Sequence, residues 1–482
     1  MSTQVPRQNS LADTRIRVAT GGDRSRTVEL SSTDPADGLH SARHAADLAA
    51  AAFPWWSELG PTERRRRLMA AADLIEARAP DFLNVMAEEI GSTREWVEFN
   101  IVLAAGMLRE AASVTTQISG MIIPSNHPGV TAMGTRQPVG VVLGIAPWNA
   151  PVVLAVRAVA MPLACGNTAI LKASEICPRT HQLVGSVLTE AGIDGGAVQV
   201  VTNDPSEASE VVDVLIGHPA VRRVNFTGST RVGRLVAEVA ARHLKPVLLE
   251  LGGKAPLLVL DDADLDEAAA AAAFGAFMNQ GQICMSTERL VVDDRVADAF
   301  AEKISRKAAL LLAGNPRTGQ APLGPVVGFD AVDRIDGIVK DAVTKGATIL
   351  AGGRVEGTFM DATVVDHVTP NMRIYSEECF GPVVAMIRVH GDDEAIRVAN
   401  DTEYGLSSAV FSRDLQRAMR VARRIEAGIC HINGPTVDDE PQMPFGGMKA
   451  SGYGRFGGAA AVEEFTELRW ITFGTEKRTY PI

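Results

Sequence analysis

The 482-residue chain is sparing with cysteine: five thiols, Cys165, Cys177, Cys284, Cys379 and Cys430, lie far apart and never in Cys-x-x-Cys spacing. An odd, dispersed set excludes a disulfide framework and gives no zinc signature, so no metal is expected and a reducing cytoplasm is the compartment that fits. Positive charge is also in deficit, 47 Lys and Arg against 58 Asp and Glu for a net −11, which argues against nucleic acid as a partner. Residues 1–18 are polar, mixed in charge and without an apolar core; no secretory signal is expected, and the mature chain is expected to start near Met1. Residues 138–156 lack charge, yet Gly140, Gly144, Pro147, Asn149 and Pro151 punctuate them as strand, turn and helix, so no membrane span is needed. Internal repeats and low-complexity linkers are missing too, which implies tightly packed domains sharing a cleft.

Hydrophobic residues make up 46% and charged ones 22%, a soluble globular balance, and the length exceeds what one hydrophobic core usually organises. Two or more domains are expected. Between residues 41 and 91 apolar positions recur at helical spacing, with Leu68, Ala72 and Ile75 on one face and Val85, Met86 and Ile90 on another, ending at Gly91. The one dense basic run, Arg64 to Arg67, lies inside this lead-in and reads as a solvated face, with a partner site as the alternative. From residue 139 the period alternates: strands at 139–145, 168–172, 198–202, 222–226 and 247–250 are separated by helices at 151–164, 178–190, 207–216 and 230–241. Short apolar strands between longer helices imply βαβ units and a parallel sheet covered on both faces. A second alternation, with helices at 263–278, 296–312, 393–399 and 415–426 and strands at 289–292, 383–389, 407–411 and 429–432, predicts a second α/β domain. Doubly wound sheets bind ligands beyond the carboxyl ends of their strands. That rule points to loops 146–149, 172–175, 227–230 and 250–253.

Cys284 stands in Gly281-Gln282-Ile283-Cys284, after the long helix. In isolation a free cysteine is more often an inert buried hydrophobe. Here the glycine-framed loop suits a nucleophile, and the amide of Asn149 is a candidate donor to the oxyanion that a thiolate would create. Glu250 closes a strand before Leu251-Gly252-Gly253; it reads either as a strand-end carboxylate in a salt bridge or as a general base whose pKa burial raises. None of the nine histidines stands in a Cys/His signature that would support a thiol hydrolase. The segment Gly228-Ser229-Thr230-Arg231-Val232-Gly233 follows a strand and opens a helix. It fits a pyrophosphate at a helix N-terminus and equally a plain N-capped helix, because it is not Gly-x-Gly-x-x-Gly. Lys172 and Glu175 end a neighbouring strand, where both can hydrogen-bond ribose hydroxyls; a glutamate there repels a 2′-phosphate and favours NAD over NADP.

In order and spacing these segments resemble the aldehyde dehydrogenase superfamily, from about residue 40 to the C-terminus. The resemblance is carried by Pro147-Trp148-Asn149, Lys172 with Glu175, Gly228-Ser229-Thr230 with Gly233, Glu250-Leu251-Gly252-Gly253-Lys254 and Gly281-Gln282-Ile283-Cys284. Glu377-Glu378-Cys379-Phe380-Gly381-Pro382 and Pro444-Phe445-Gly446-Gly447 with Lys449, Ser451 and Gly452 continue it. It implies an α/β fold with a Rossmann-type NAD-binding domain (1–117 and 138–251), an α/β catalytic domain (252–449) and a small oligomerisation segment (118–137 and 450–482) of a homodimer or homotetramer. It further implies Cys284 as the nucleophile, Asn149 with the Cys284 N–H as the oxyanion hole, and Glu250 as the base that sends water against the thioester. NAD is the implied cofactor. Lys172 and Glu175 would hold the adenosine ribose, Ser229 the pyrophosphate, Glu378 and Phe380 the nicotinamide riboside, with Pro147, Trp148, Gly228, Gly233, Leu251 and Gly252 lining the same site.

The run from His431 to Phe445 resembles the bacterial aromatic-aldehyde branch, the salicylaldehyde, vanillin and benzaldehyde dehydrogenases, with Asp438 standing where that branch commonly has histidine. Salicylaldehyde is the first expectation for the substrate. Vanillin, benzaldehyde, an aliphatic aldehyde or semialdehyde, and CoA-dependent acyl transfer are the alternatives, Glu250 arguing for water over a thiol. Val153 and Arg157 share the helix face that carries the oxyanion donor. Arg157 reads equally as a reader of a ring substituent such as a hydroxyl and as the structural partner of a carboxylate. Trp96 and Phe445 read as platforms for an aryl ring or as ordinary core.

Overall fold

The computed structural model describes residues 38–318, 321–477 and 480–482. The expectations for residues 1–37, a start without a leader and the first part of the cofactor domain, lie outside them.

The first sheet is built outward from its middle. Val141–Ile145 is flanked on one side by Thr168–Lys172 and then Val198–Val201, and on the other by Val221–Thr227 and then Val247–Glu250, all parallel. The winding reverses between Val141–Ile145 and Val221–Thr227, so the loops after these two strands diverge and open a crevice at their carboxyl ends. The connecting helices begin where the sequence allows it: Pro151 and Pro178 occupy first-turn positions, where a missing N–H costs nothing. Helix Pro151–Ala164 is buried on every side, which explains its charge-free apolar run. It packs close on the central strand because Gly144 has no Cβ; one placed there would lie 2.7 Å from the Ala158 Cβ.

The second sheet runs Thr348–Ala351, Thr363–Asp366, Val383–Val389, Thr287–Asp293, Ala255–Val259, Ala409–Phe411, His431–Ile432, parallel throughout except at the Thr348–Ala351 edge. Apolar cores cover both of its faces, one around Ile335, Ile338 and Tyr375 and the other around Phe277 and Phe300. A third, antiparallel sheet joins Met121–Ile123, Val130–Pro138 and Thr466–Gly474.

The strands and helices expected from periodicity in the first domain are present within two residues at their ends, and Pro151–Ala164, Thr168–Lys172, Pro178–Glu190, Val247–Glu250 and Val383–Val389 have the expected bounds. Three findings correct the sequence reading. The Arg64–Arg67 run is not simply a solvated face: Arg64 is buried and donates to the Ala164 carbonyl at 3.1 Å, and Arg67 lies over Trp55. The C-terminal segment beginning at 450 is not all apart from the cofactor domain, since Gly452–Tyr453 pairs antiparallel with Val247–Glu250 at the sheet edge. Helix Arg94–Val114, capped by Thr93 and mostly buried, was not assigned by periodicity, because apolar residues surround more than one of its faces. Among the described residues no helix is long and apolar enough to cross a membrane.

Candidate active site

The crevice of the first sheet meets the second domain at Glu250–Lys254, where one strand of each sheet is joined by a four-residue turn. Glu250 is the last residue of its strand, paired with Thr227, so its side chain stands at the carboxyl end of the sheet. It is 2% exposed, and neither carboxylate oxygen has a hydrogen-bond partner among the described residues. Burial pushes its pKa well above the usual carboxylate range, with Arg157, Arg455 and the nearby Gly447 N–H opposing that shift and Asp439 adding to it. The salt-bridge reading of Glu250 is thereby removed.

Cys284 arrives from the other domain, in the loop between helix Leu265–Phe277 and strand Thr287–Asp293. This loop is strained: Asn279, Gln280 and Gly281 all have positive φ, at 49°, 56° and 67°. Two non-glycine residues in that region cost about 1–3 kcal/mol each and persist only where the surroundings hold them. Here they are held by Ser286 Oγ donating to the Gly281 carbonyl at 3.0 Å, by Asn279 Nδ2 donating to the Asn149 carbonyl at 3.1 Å, and by the Val327 N–H donating to Gln282 Oε1 at 2.9 Å. Gly281 itself is obligatory, as a Cβ would meet the Gly381 carbonyl oxygen at 2.1 Å. The result presents Cys284 partly exposed, with its N–H donating to nothing among the described residues. Burial, then the Glu250 carboxylate, push the thiol up to about 12, against the pull of Arg157. Gly253 allows the approach: its Cβ would lie 2.3 Å from the Cys284 carbonyl oxygen.

Asn149 is gripped by both domains. Its Nδ2 donates to the Gln282 carbonyl at 2.9 Å, leaving the second amide hydrogen for an incoming oxygen. Trp96 Nε1 donates to the Asn149 carbonyl at 2.9 Å, so Trp96, buried against Phe99, fixes the donor's backbone. The Val153 N–H donates to Asn100 Oδ1 at 3.4 Å, tying the same helix start to helix Arg94–Val114. Arg157, two turns on, is buried in an ion pair with Asp439, and its guanidinium lies 4.1 Å from the Phe445 ring centre. The structural half of its dual reading is therefore present, and Phe445 is the floor beneath it.

The remaining expected residues follow the carboxyl ends of the first sheet's strands and the wall beyond them. Lys172 pairs with Glu175, to which Asn203 Nδ2 also donates at 3.1 Å. Nearby Asn203 Oδ1 and Glu207 Oε2 are buried and have no hydrogen-bond partner among the described residues. Ser229 caps helix Thr230–Arg242 by accepting from the Val232 N–H, so the plain cap and the anion site coincide. Gly233 lets Leu251 approach, since a Cβ would lie 2.4 Å from its Cδ2. Beside Gly252 stands Glu378, which accepts from the Gly253 N–H at 2.8 Å, and next to it Phe380, edge-on to Trp148 beside Pro147 with centroids 5.9 Å apart. Burial, then the nearby Glu288, push the Glu378 carboxyl up to about 7. An elongated dinucleotide fits this set: unpartnered acceptors for hydroxyls at one end, a capped helix terminus for phosphates, and glycine cradles that a Cβ would fill.

Sequence reasoning missed the residues that hold this wall. Glu288 accepts from the N–H groups of Cys379 and Phe380 at 2.8 and 2.9 Å and pairs with buried Lys254, while Arg334 donates to the Glu378 and Cys379 carbonyls. Positive φ at Phe380 (46°) is the backbone cost they sustain. Asp439 was missed as well; its only signal was three successive acidic residues, Asp438 to Glu440, beside an apolar motif.

The chain matches the aldehyde dehydrogenase family over residues 24–471. It is 59% identical over 456 residues to a vanillin dehydrogenase of Pseudomonas sp. strain HR199, covering 95% of this chain and 94% of that one. It superposes with a TM-score of 0.90 on the crystal structure of a salicylaldehyde dehydrogenase from Pseudomonas putida G7 complexed with salicylaldehyde, at 50% identity and 92% coverage of each chain. A betaine aldehyde dehydrogenase from Staphylococcus aureus in complex with NAD+ gives a TM-score of 0.88 at 32% identity, covering 92% of this chain and 89% of that one.

Proposed function

The chain belongs to the aldehyde dehydrogenase family, and from that premise we propose that it oxidises an aromatic aldehyde to its carboxylate with NAD. The observation that carries the proposal is the meeting of a strained-loop thiol, Cys284, with a buried glutamate that has no hydrogen-bond partner and an amide donor held from both domains. Glu250 has both oxygens free to take the thiol proton, and the Cys284 sulfur then adds to the carbonyl carbon. The free Asn149 amide hydrogen and the Cys284 N–H receive the oxygen as it gains charge. A bound nicotinamide dinucleotide supplies the acceptor for the hydride that leaves this carbon. Once that proton has left Glu250 for solvent, Glu250 takes one from water as the water oxygen adds to the thioester; the C–S bond breaks, releasing the Cys284 thiolate and a carboxylic acid that ionises.

Glu175 supports NAD, because its carboxylate, drawn below its ordinary range by Lys172 against the cost of burial, would repel a 2′-phosphate. The buried aromatic, aliphatic and cationic side chains near Asn149 (Trp96, Val153, Phe445 and Arg157) support an aryl substrate. Vanillin and salicylaldehyde, named for two of the relatives, are benzaldehydes bearing a ring hydroxyl, and salicylaldehyde is the first to test. The enzyme acts in the cytoplasm as a homodimer or homotetramer. The edge strand Thr466–Gly474, with exposed Leu468, Trp470 and Phe473, supports a subunit contact, and light scattering after gel filtration measures it.

Absorbance of NADH tests the whole reading on a panel of salicylaldehyde, vanillin, benzaldehyde and alkyl aldehydes with each nicotinamide cofactor. Faster turnover of aryl substrates with NAD is expected. A preference for alkyl aldehydes overturns the substrate class, CoA-dependent turnover replaces hydrolysis by acyl transfer, and no NADH from any aldehyde ends the enzymatic reading.

A further inference from the structure

This inference deepens the NAD reading proposed above and rests on it. NAD and NADP differ at one position, the 2′-oxygen of the adenosine ribose, which is a hydroxyl in the first and carries a phosphate in the second. Glu175 tells them apart only if one of its carboxylate oxygens stands free at that position. A glutamate side chain is long and rotatable, so something must hold it there.

The backbone that carries Glu175 is fixed. The Ser174 N–H donates to His181 Nδ1 at 3.0 Å, and Ser174 Oγ accepts from the Ile176 N–H at 3.3 Å. The side chain is held from two loops. Lys172, at the end of its own strand, pairs with Oε1. Asn203 comes from the loop after strand Val198–Val201, which lies parallel to Thr168–Lys172 and is tied to its end by the Ala173 N–H donating to the Val201 carbonyl at 2.8 Å. Asn203 Nδ2 donates to the same Glu175 Oε1 at 3.1 Å and to the Asp204 carbonyl at 2.7 Å. Both amide hydrogens are thus engaged, and the amide cannot turn without breaking one bond or the other. Glu175 Oε2 accepts from no other residue among the described residues, and the side chain is 23% exposed. A lone ammonium on Oε1 would let the carboxylate pivot about that oxygen. A second donor from a different loop fixes its plane and leaves Oε2 as the acceptor presented to a ligand.

We propose that Asn203 is a positioning residue for the choice of cofactor: acting through Glu175, it holds Oε2 toward the adenosine 2′-oxygen, to accept from the hydroxyl of NAD and to repel the phosphate of NADP. It also keeps Glu175 on the Lys172 ammonium, so that this cation is spent within the protein and is not offered to a phosphate.

The test is calorimetric titration of the whole protein, without aldehyde, with three probes that differ only at the 2′-position: NAD, its 2′-deoxyadenosine analogue and NADP. Wild-type protein should bind NAD most tightly. In Asn203→Ala the Kd for NAD should rise about tenfold, toward that of the deoxy analogue, while the Kd for the deoxy analogue stays at its wild-type value and the preference for NAD over NADP falls by about tenfold or more. Asn203→Leu, which keeps the branched outline of the side chain but has no donor, should behave alike. In a Glu175→Ala background, Asn203→Ala should change none of the three affinities further. Equal weakening of NAD and the deoxy analogue overturns the proposal, since it marks Asn203 as a support of the loop alone. An unchanged preference for NAD over NADP overturns it too, as does an effect that persists in full without Glu175. Wild-type protein that binds neither dinucleotide, or that binds NADP the more tightly, condemns instead the NAD reading on which the inference rests.

Discussion

Two walls meet at Glu250–Gly253, one carrying the buried Glu250 and the other the half-buried Glu378. On one side Glu378 accepts from the Gly253 N–H, and its loop is clamped by Glu288, Lys254 and Arg334. On the other, among the described residues, neither Glu250 oxygen has a hydrogen-bond partner and the Cys284 N–H donates to nothing. Burial raises both carboxyls, Glu250 being the more deeply buried of the two. The difference is whether the surroundings have used the lone pairs. On the proposed reading the satisfied wall is the one that holds a ligand ring in place, and the unsatisfied wall, at a cost of about 1–3 kcal/mol for each such buried group, is the one that exchanges protons.

Removing the sulfur should break the comparison most severely. Cys284→Ala is expected to lower turnover by ~10⁴-fold or more while NAD still binds, as read by NADH absorbance and by calorimetric titration. Persistent oxidation would remove Cys284 from the mechanism. Glu250→Gln should come next, with turnover down by about 10²- to 10⁴-fold and an acyl-enzyme visible by intact mass. The same variant should be more stable than wild type. An unfolded glutamate ionises near 4.5 whereas folded Glu250 holds its proton well above that, so wild-type stability falls as pH rises through this interval. The melting-temperature gain of Glu250→Gln should accordingly be larger at pH 8 than at pH 5.

Arg157→Ala strands Asp439 in the interior and should cost about 3–5 kcal/mol in denaturant unfolding, as breaking a buried pair does. Equal losses of kcat/KM on benzaldehyde and its 2-hydroxy analogue would show that Arg157 does not read the hydroxyl. The smallest effect is expected on the satisfied wall. Arg334→Ala removes two hydrogen bonds to the Glu378–Cys379 backbone and should raise the KM for NAD about tenfold with kcat little changed. A fall in kcat with KM unchanged would place that wall among the reacting groups and dissolve the contrast.

Local pattern carried the first domain far. Strand and helix from 151 to 250 follow from alternation, from Pro at first turns and from glycine at ends, because neighbouring residues decide those elements. The motif residues Cys284, Glu250 and Asn149 were legible in the same way, through short runs in a characteristic order. The dual readings of Glu250, Arg157 and Trp96 were not resolvable there. Whether a carboxylate is paired, or an indole N–H bound, depends on groups distant in the chain: Asp439 lies 282 residues from Arg157, and Asn149 lies 53 from Trp96. The periodicity of this chain thus determined its layers and the ends of the strands where chemistry collects. Only the closed tertiary structure decided which buried charges are neutralised and which are left bare, because desolvation and hydrogen bonding act through space and have no period along a sequence.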